Sequence, residues 1–164
     1  MTNSAVGKPV LETMVGMGQI VFGQAPDRLA SILGSCVGVS LHSSRTRQAV
    51  LAHVILPYSQ GRKQTAPGKF ADTAIPHMLK LLSQAGVLPG GLLAKVAGGS
   101  NMFGHNGPLQ IGAANGEAVV KALADAGIRV AAHDIGGNLG RRISLDCATG
   151  EMTIEIAGSN SRVI

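Results

Sequence analysis

Two apolar runs lying close together constrain the fold of this chain most. Val37, Val39 and Leu41 alternate with Gly38, Ser40 and His42, the period of two that marks a strand. Gln48 to Ile55 is a second β-favouring run, holding Val50, Val54 and Ile55, and the polar Ser43-Ser44-Arg45-Thr46 between the runs reads as a reversal. Together they predict an antiparallel hairpin. Pairing Cys36 with His53 centres the turn between Ser44 and Arg45, and sets Val37 opposite Ala52, Gly38 opposite Leu51 and Val39 opposite Val50. Opposed residues in such a ladder have Cα atoms roughly 4.5–5.5 Å apart, within reach of an imidazole and a thiol. A slip of one residue would send the two side chains to opposite faces.

That pairing gives the hairpin a possible chemistry. A histidine beside a cysteine raises its thiolate fraction, and the small neighbours Gly34, Ser35 and Gly38 leave a narrow slot for a carbonyl to approach the sulfur. The inert reading stands beside it: Cys36 as a small buried hydrophobe, His53 as a satisfied histidine within a strand.

The remaining elements follow in order. Gly16 to Gly23 reads as a first strand, and Leu29 to Leu33 as a short apolar run ending at the Gly34-Ser35 corner. Pro57 to Pro67 is a loop or flap. Lys69 to Ala85 has helical spacing, is kinked or delayed by Pro76, and stops at Gly86. Leu92 to Ala97 is a strand running into the glycine turn at 98–104. Asn115 to Ala126 is a second helix capped by Asn115 and ended by Gly127. Ile128 to Asp134 is a strand delivered into the glycine corner at 136–140. Arg142 to Asp146 and Met152 to Ala157 form a hairpin, and Ser159 to Ile164 fray. These elements predict an α+β fold in one domain spanning 1–164, with its core at about 20–156 and flexible termini. It is a layered sandwich of mixed or mainly antiparallel sheet with two main helices packed on it.

With three Phe, one Tyr and no Trp, the core must be aliphatic, and the 164 residues suffice to bury it without staples. Two cysteines far apart in sequence give no disulfide framework and fit a reducing compartment, so the chain reads as cytoplasmic. No run is long enough for a membrane helix. The net charge of +5 comes from scattered basic residues without aromatic platforms, which argues against nucleic acid. Neither glycine turn matches a nucleotide loop, and Gly98 and Gly99, like Gly34 and Ser35, are candidates for backbone N–H groups open to an oxyanion. The five histidines and two cysteines show no zinc spacing, so no metal or cofactor is expected. His77 and His105 read as surface residues, His133 as a buried hydrogen-bonded ring, and Cys147 as incidental.

Five blocks in order carry a resemblance. They are Leu33-Gly34-Ser35-Cys36-Val37-Gly38-Val39, Ala52-His53-Val54-Ile55-Leu56-Pro57, Lys69-Phe70-Ala71-Asp72-Thr73-Ala74-Ile75, Gly98-Gly99-Ser100-Asn101-Met102-Phe103, and Asp134 through Ile143. From about Ile20 to Ile156 the chain resembles the CheD family of chemoreceptor glutamine deamidases. The resemblance implies a protein-glutamine glutaminase of bacterial chemotaxis acting on methyl-accepting receptors, with a catalytic fold similar to that of bacterial toxin cysteine deamidases. It implies Cys36 as nucleophile and His53 as base. The family commonly has a threonine before this corner; here Ala30 and Ser31 stand in that stretch, and Ser31 is the hydroxyl left to steer the histidine. It also implies partner binding, including CheC-type phosphatases, so the alternative function is a non-enzymatic adaptor.

Overall fold

The computed structural model describes residues 7–63, 66–102 and 110–164. Among the described residues, ten strands form two five-stranded sheets, and two helices cover one of them. The first sheet runs in the order β1 (Glu12–Met14), β3 (Arg28–Leu33), β8 (Arg141–Asp146), β9 (Met152–Glu155) and β10 (Arg162–Val163). The second runs β2 (Ile20–Gln24), β5 (Gln48–Val54), β4 (Val37–Ser43), β6 (Leu93–Gly98) and β7 (Arg129–Ile135). All pairings are antiparallel except β1 with β3 and β6 with β7. The layered α+β architecture expected from the sequence is therefore present.

Strand periodicity assigns the layers. Val37, Val39 and Leu41 of β4, with Val50, Ala52 and Val54 of β5, pack beneath α1 (Ala71–Gln84) and α2 (Ile111–Asp125). The opposite face presents Ala49, Leu51 and Ala97 to Leu29, Leu33, Ile143 and Leu145 of the first sheet. Both helices end as their glycines dictate. Gly86 and Gly127 take positive φ, and Val87 N–H to Leu82 O and Ile128 N–H to Leu123 O, each 2.9 Å, close Schellman motifs. Pro76 lies inside α1 without ending it.

Several expectations need correction. The β4–β5 hairpin pairs Val37 with Val54, Gly38 with His53 and Val39 with Ala52, two residues from the register centred on Cys36 and His53. Ser43 pairs with Gln48 around a longer loop, closed by Arg47 at φ 55 with its N–H on Ser43 O at 2.8 Å. A shift of two keeps every ladder side chain on its face, with His53 opposite Gly38 and Cys36 just beyond the last pair. The second helix begins at Ile111, four residues early, which puts Asn115 in its interior and not at its cap. His133 is exposed, because β7 is an edge strand. Ser159 to Ile164 does not fray: β10 pairs with β9, and Ile164 exchanges backbone bonds of 2.9 and 3.1 Å with Met152. Gly38 opens no slot, since a Cβ there would stand 2.6 Å from Ile143 Cδ1. Its smallness serves sheet packing. Residues 1–6, Phe103, Gly104 and His105 lie outside the described residues.

Candidate active site

The chain passes from the first sheet to the second through Gly34-Ser35-Cys36, which belongs to neither ladder. Cys36 is partly buried against the inter-sheet core, and His53 faces the same layer from β5 with 4% of its surface exposed. Ser31 reaches in from β3, fully buried. Ser31 and His53 thus meet across the two sheets, and Cys36 packs against the same inter-sheet core.

Hydrogen bonding fixes the histidine. Ser31 Oγ donates its hydrogen to Val15 O at 2.7 Å, so towards His53 Nδ1, 2.8 Å away, that oxygen can only accept. Val15 O itself lies 3.3 Å from Nδ1. Two acceptors facing Nδ1 place the hydrogen there and leave the lone pair of the neutral ring on Nε2. Burial pushes the imidazole below its ordinary range, opposed by the Val15 carbonyl. Burial also pushes the Cys36 thiol up. Both shifts favour the uncharged forms of the two groups.

The corner is held by its carbonyls. Gly34 O accepts Ser100 N–H at 3.0 Å and Ser100 Oγ–H at 2.7 Å. Ser35 O accepts from Asn115 Nδ2 at 3.0 Å, and Cys36 O accepts Gly99 N–H at 2.8 Å. Among the described residues, the N–H groups of Gly34, Ser35 and Cys36 donate to nothing. Gly99 is correspondingly removed as an oxyanion donor, since its N–H is already engaged. Gly98, at φ +104, is needed for close approach: a Cβ there would overlap the Cys36 carbonyl oxygen. A groove of about 800 Å³ between α2 and the corner at 136–138 borders Gly99 and Asn101 but includes neither Cys36 nor His53. Asp134 pairs with Arg141 and Arg162. Among the described residues no group of three or more His, Cys, Asp or Glu side chains is placed to hold a metal.

Sequence reasoning missed Val15, Ser100 and Asn115 as members of this site. Val15 acts through its backbone carbonyl and Ser100 through its N–H as well as its hydroxyl, and backbone partners are not revealed by a side-chain motif. Asn115 left a signal, an amide within the apolar pattern of Ala114, Ala118 and Val119.

A thiol, an imidazole with its hydrogen fixed on the far nitrogen and a hydroxyl behind it are the components used by thiol-dependent hydrolases. Residues 55–156 match the family model described as CheD chemotactic sensory transduction. A relative from Clostridium botulinum strain Alaska E43, called probable chemoreceptor glutamine deamidase CheD, is 40% identical over 152 residues, covering 90% of this chain and 94% of its own length. Proteins of the same name from Desulforamulus reducens and Methanococcus vannielii are 40% and 39% identical, covering 93% and 85% of this chain and 95% and 92% of their own lengths. The chain belongs to the CheD family.

Proposed function

We propose that this protein is a chemoreceptor glutamine deamidase, hydrolysing receptor glutamine side chains to glutamate with release of ammonia. The observation that carries the reading is the tautomer fixed by Ser31 and Val15, which leaves His53 Nε2 as a base on the face shared with Cys36. The names borne by the relatives point to the same substrate.

In this mechanism Nε2 takes the thiol proton as Cys36 Sγ attacks the carboxamide carbon. The resulting oxyanion is held by N–H groups of the Gly34–Cys36 corner. The imidazolium keeps its Nδ1–H on Ser31 Oγ and returns its Nε2 proton to the departing amine, so that ammonia leaves and a thioester remains. Nε2 then deprotonates a water that attacks the thioester carbon, the C–S bond breaks as the Nε2 proton returns to the departing sulfur, and glutamate is released with the thiol and imidazole restored. Ser31 fills the steering role. The substrate is the cytoplasmic part of a chemoreceptor, which places the reaction in the cytoplasm. Among the described residues, no helix is long and apolar enough to cross a membrane.

Intact-mass analysis of a receptor cytoplasmic fragment, coupled to ammonia measurement, tests this. The wild-type protein should convert glutamine to glutamate without cleaving the chain, and Cys36→Ala should bind the fragment but convert none. Conversion by Cys36→Ala, or peptide cleavage by the wild type, would overturn the reading.

A further inference from the structure

We propose that Asn115 is a positioning residue for this reaction: its amide bridges Ser35 O and Ile55 O, and so aims the Cys36 N–H at the oxyanion. The inference rests on the deamidase reading. The β4–β5 ladder ends at Val37 and Val54, immediately before Cys36 on one strand and Ile55 on the other. Beyond that point the Ile55 and Leu56 N–H groups turn to Lys69 O, 3.0 Å each, and the hairpin splays. Two carbonyls then face the gap. Both are acceptors, so neither can bond the other, and only a group with two hydrogens can span them. Asn115 Nδ2 donates to Ser35 O at 3.0 Å and to Ile55 O at 2.8 Å.

The consequence for Cys36 follows from peptide planarity. The Ser35 carbonyl and the Cys36 N–H belong to one trans unit and point in opposite directions. With the carbonyl held towards α2, the N–H is directed away from the helix, to the inter-sheet side where Cys36 packs. Accepting a bond at the carbonyl also polarises the unit and strengthens that donor. Ser100 does the same for the preceding peptide by donating twice to Gly34 O. The helix can come this close because position 112 is glycine: a Cβ there would stand 2.6 Å from Gly99 O.

The amide makes two bonds and leaves one atom unpaired, so its role is decided by experiment and not by a count of bonds. Asn115 is fully buried in a helix interior, and among the described residues its Oδ1 has no partner. An apolar side chain would spare that atom but leave the Ser35 and Ile55 carbonyls without this donor.

The test compares Asn115→Ala with wild type by kcat and KM on the receptor fragment and by the rate at which iodoacetamide alkylates Cys36. Alkylation needs the thiolate but no oxyanion donor. We expect kcat to fall ~10–100-fold, less than the loss of a direct donor, with KM and the alkylation rate within ~2-fold. An unchanged kcat, or alkylation falling in parallel with it, overturns the proposal. Should Asn115→Ala not fold, Asn115→Leu, which fills the space, decides by the same measurements. Failure of both to fold would make the amide a stability residue and also overturn the proposal. A wild-type protein that releases no ammonia sinks the deamidase reading itself, which separates the two failures.

Discussion

The inter-sheet layer carries a cysteine and a histidine near each end of β4, and the two neighbourhoods have opposite characters. At the Cys36 end the thiol is partly exposed, the adjoining N–H groups are open, and the imidazole keeps a free lone pair. At the other end Cys147 is fully buried, and its thiol is pushed up to about 11 by burial and then by Asp146 and Asp27. His42 Nε2 bonds the backbone carbonyl of Cys147 at 2.9 Å and not its sulfur. Lys95 Nζ ties that end shut, donating to Gly150 O and Ile164 O at 2.7 Å each. A cysteine beside a histidine is therefore not enough. Access, uncommitted donors and neighbouring charge are what differ between the two thiols.

Replacing each histidine gives the largest contrast. His53→Ala should lower turnover of the receptor fragment by ~10²–10⁴-fold, the usual scale for a general base. His42→Ala should leave turnover of the folded protein near wild type and instead cost ~1–3 kcal/mol in denaturant unfolding, by losing a buried hydrogen bond and its packing. Equal turnover losses in the two variants would erase the distinction.

Alkylation of the native protein comes next. Brief iodoacetamide treatment followed by peptide mass mapping should label Cys36 and leave Cys147 unmodified until denaturant is added. Early labelling of Cys147 would show that its end opens freely.

The smallest effect is common to both ends. Burial lowers the pKa of His53 and of His42, so the unfolded chain holds more protons than the folded one between those values and the ordinary pKa near ~6.5. Stability should be complete above that pH and decline as the solution is acidified through it. Urea midpoints at several pH values would check the sign, and His42→Ala should remove part of the decline. A midpoint that rises on acidification would contradict both assignments.

Much of this was legible in the sequence, for physical reasons that differ by element. The alternation of Val37, Val39 and Leu41 announced a strand, and Gly86 and Gly127 announced helix ends, because both signals are local. The hairpin register was not legible. A polar segment marks a reversal but does not give its length, and the left-handed Arg47 adds residues to the turn. The two-residue shift is even, so it leaves His53 on the face that the expected register gave it. Asn115 resembled a cap because capping residues are usually polar, yet the helix starts at Ile111 with no side-chain cap. His133 and the C-terminal strand depended on which strand forms an edge and which finds a partner, properties of the assembled sheet alone.

The Ser31–His53 bond has a consequence for how this protein responds to stress. Its two ends belong to different sheets, so the bond gauges the spacing between the layers. Heat, pressure or a bulkier residue at Gly38 that wedges those layers apart would misalign the base while both sheets still stand. Turnover would then fade before the circular dichroism signal does, and measured inactivation would report a loosened sandwich well ahead of a melted one.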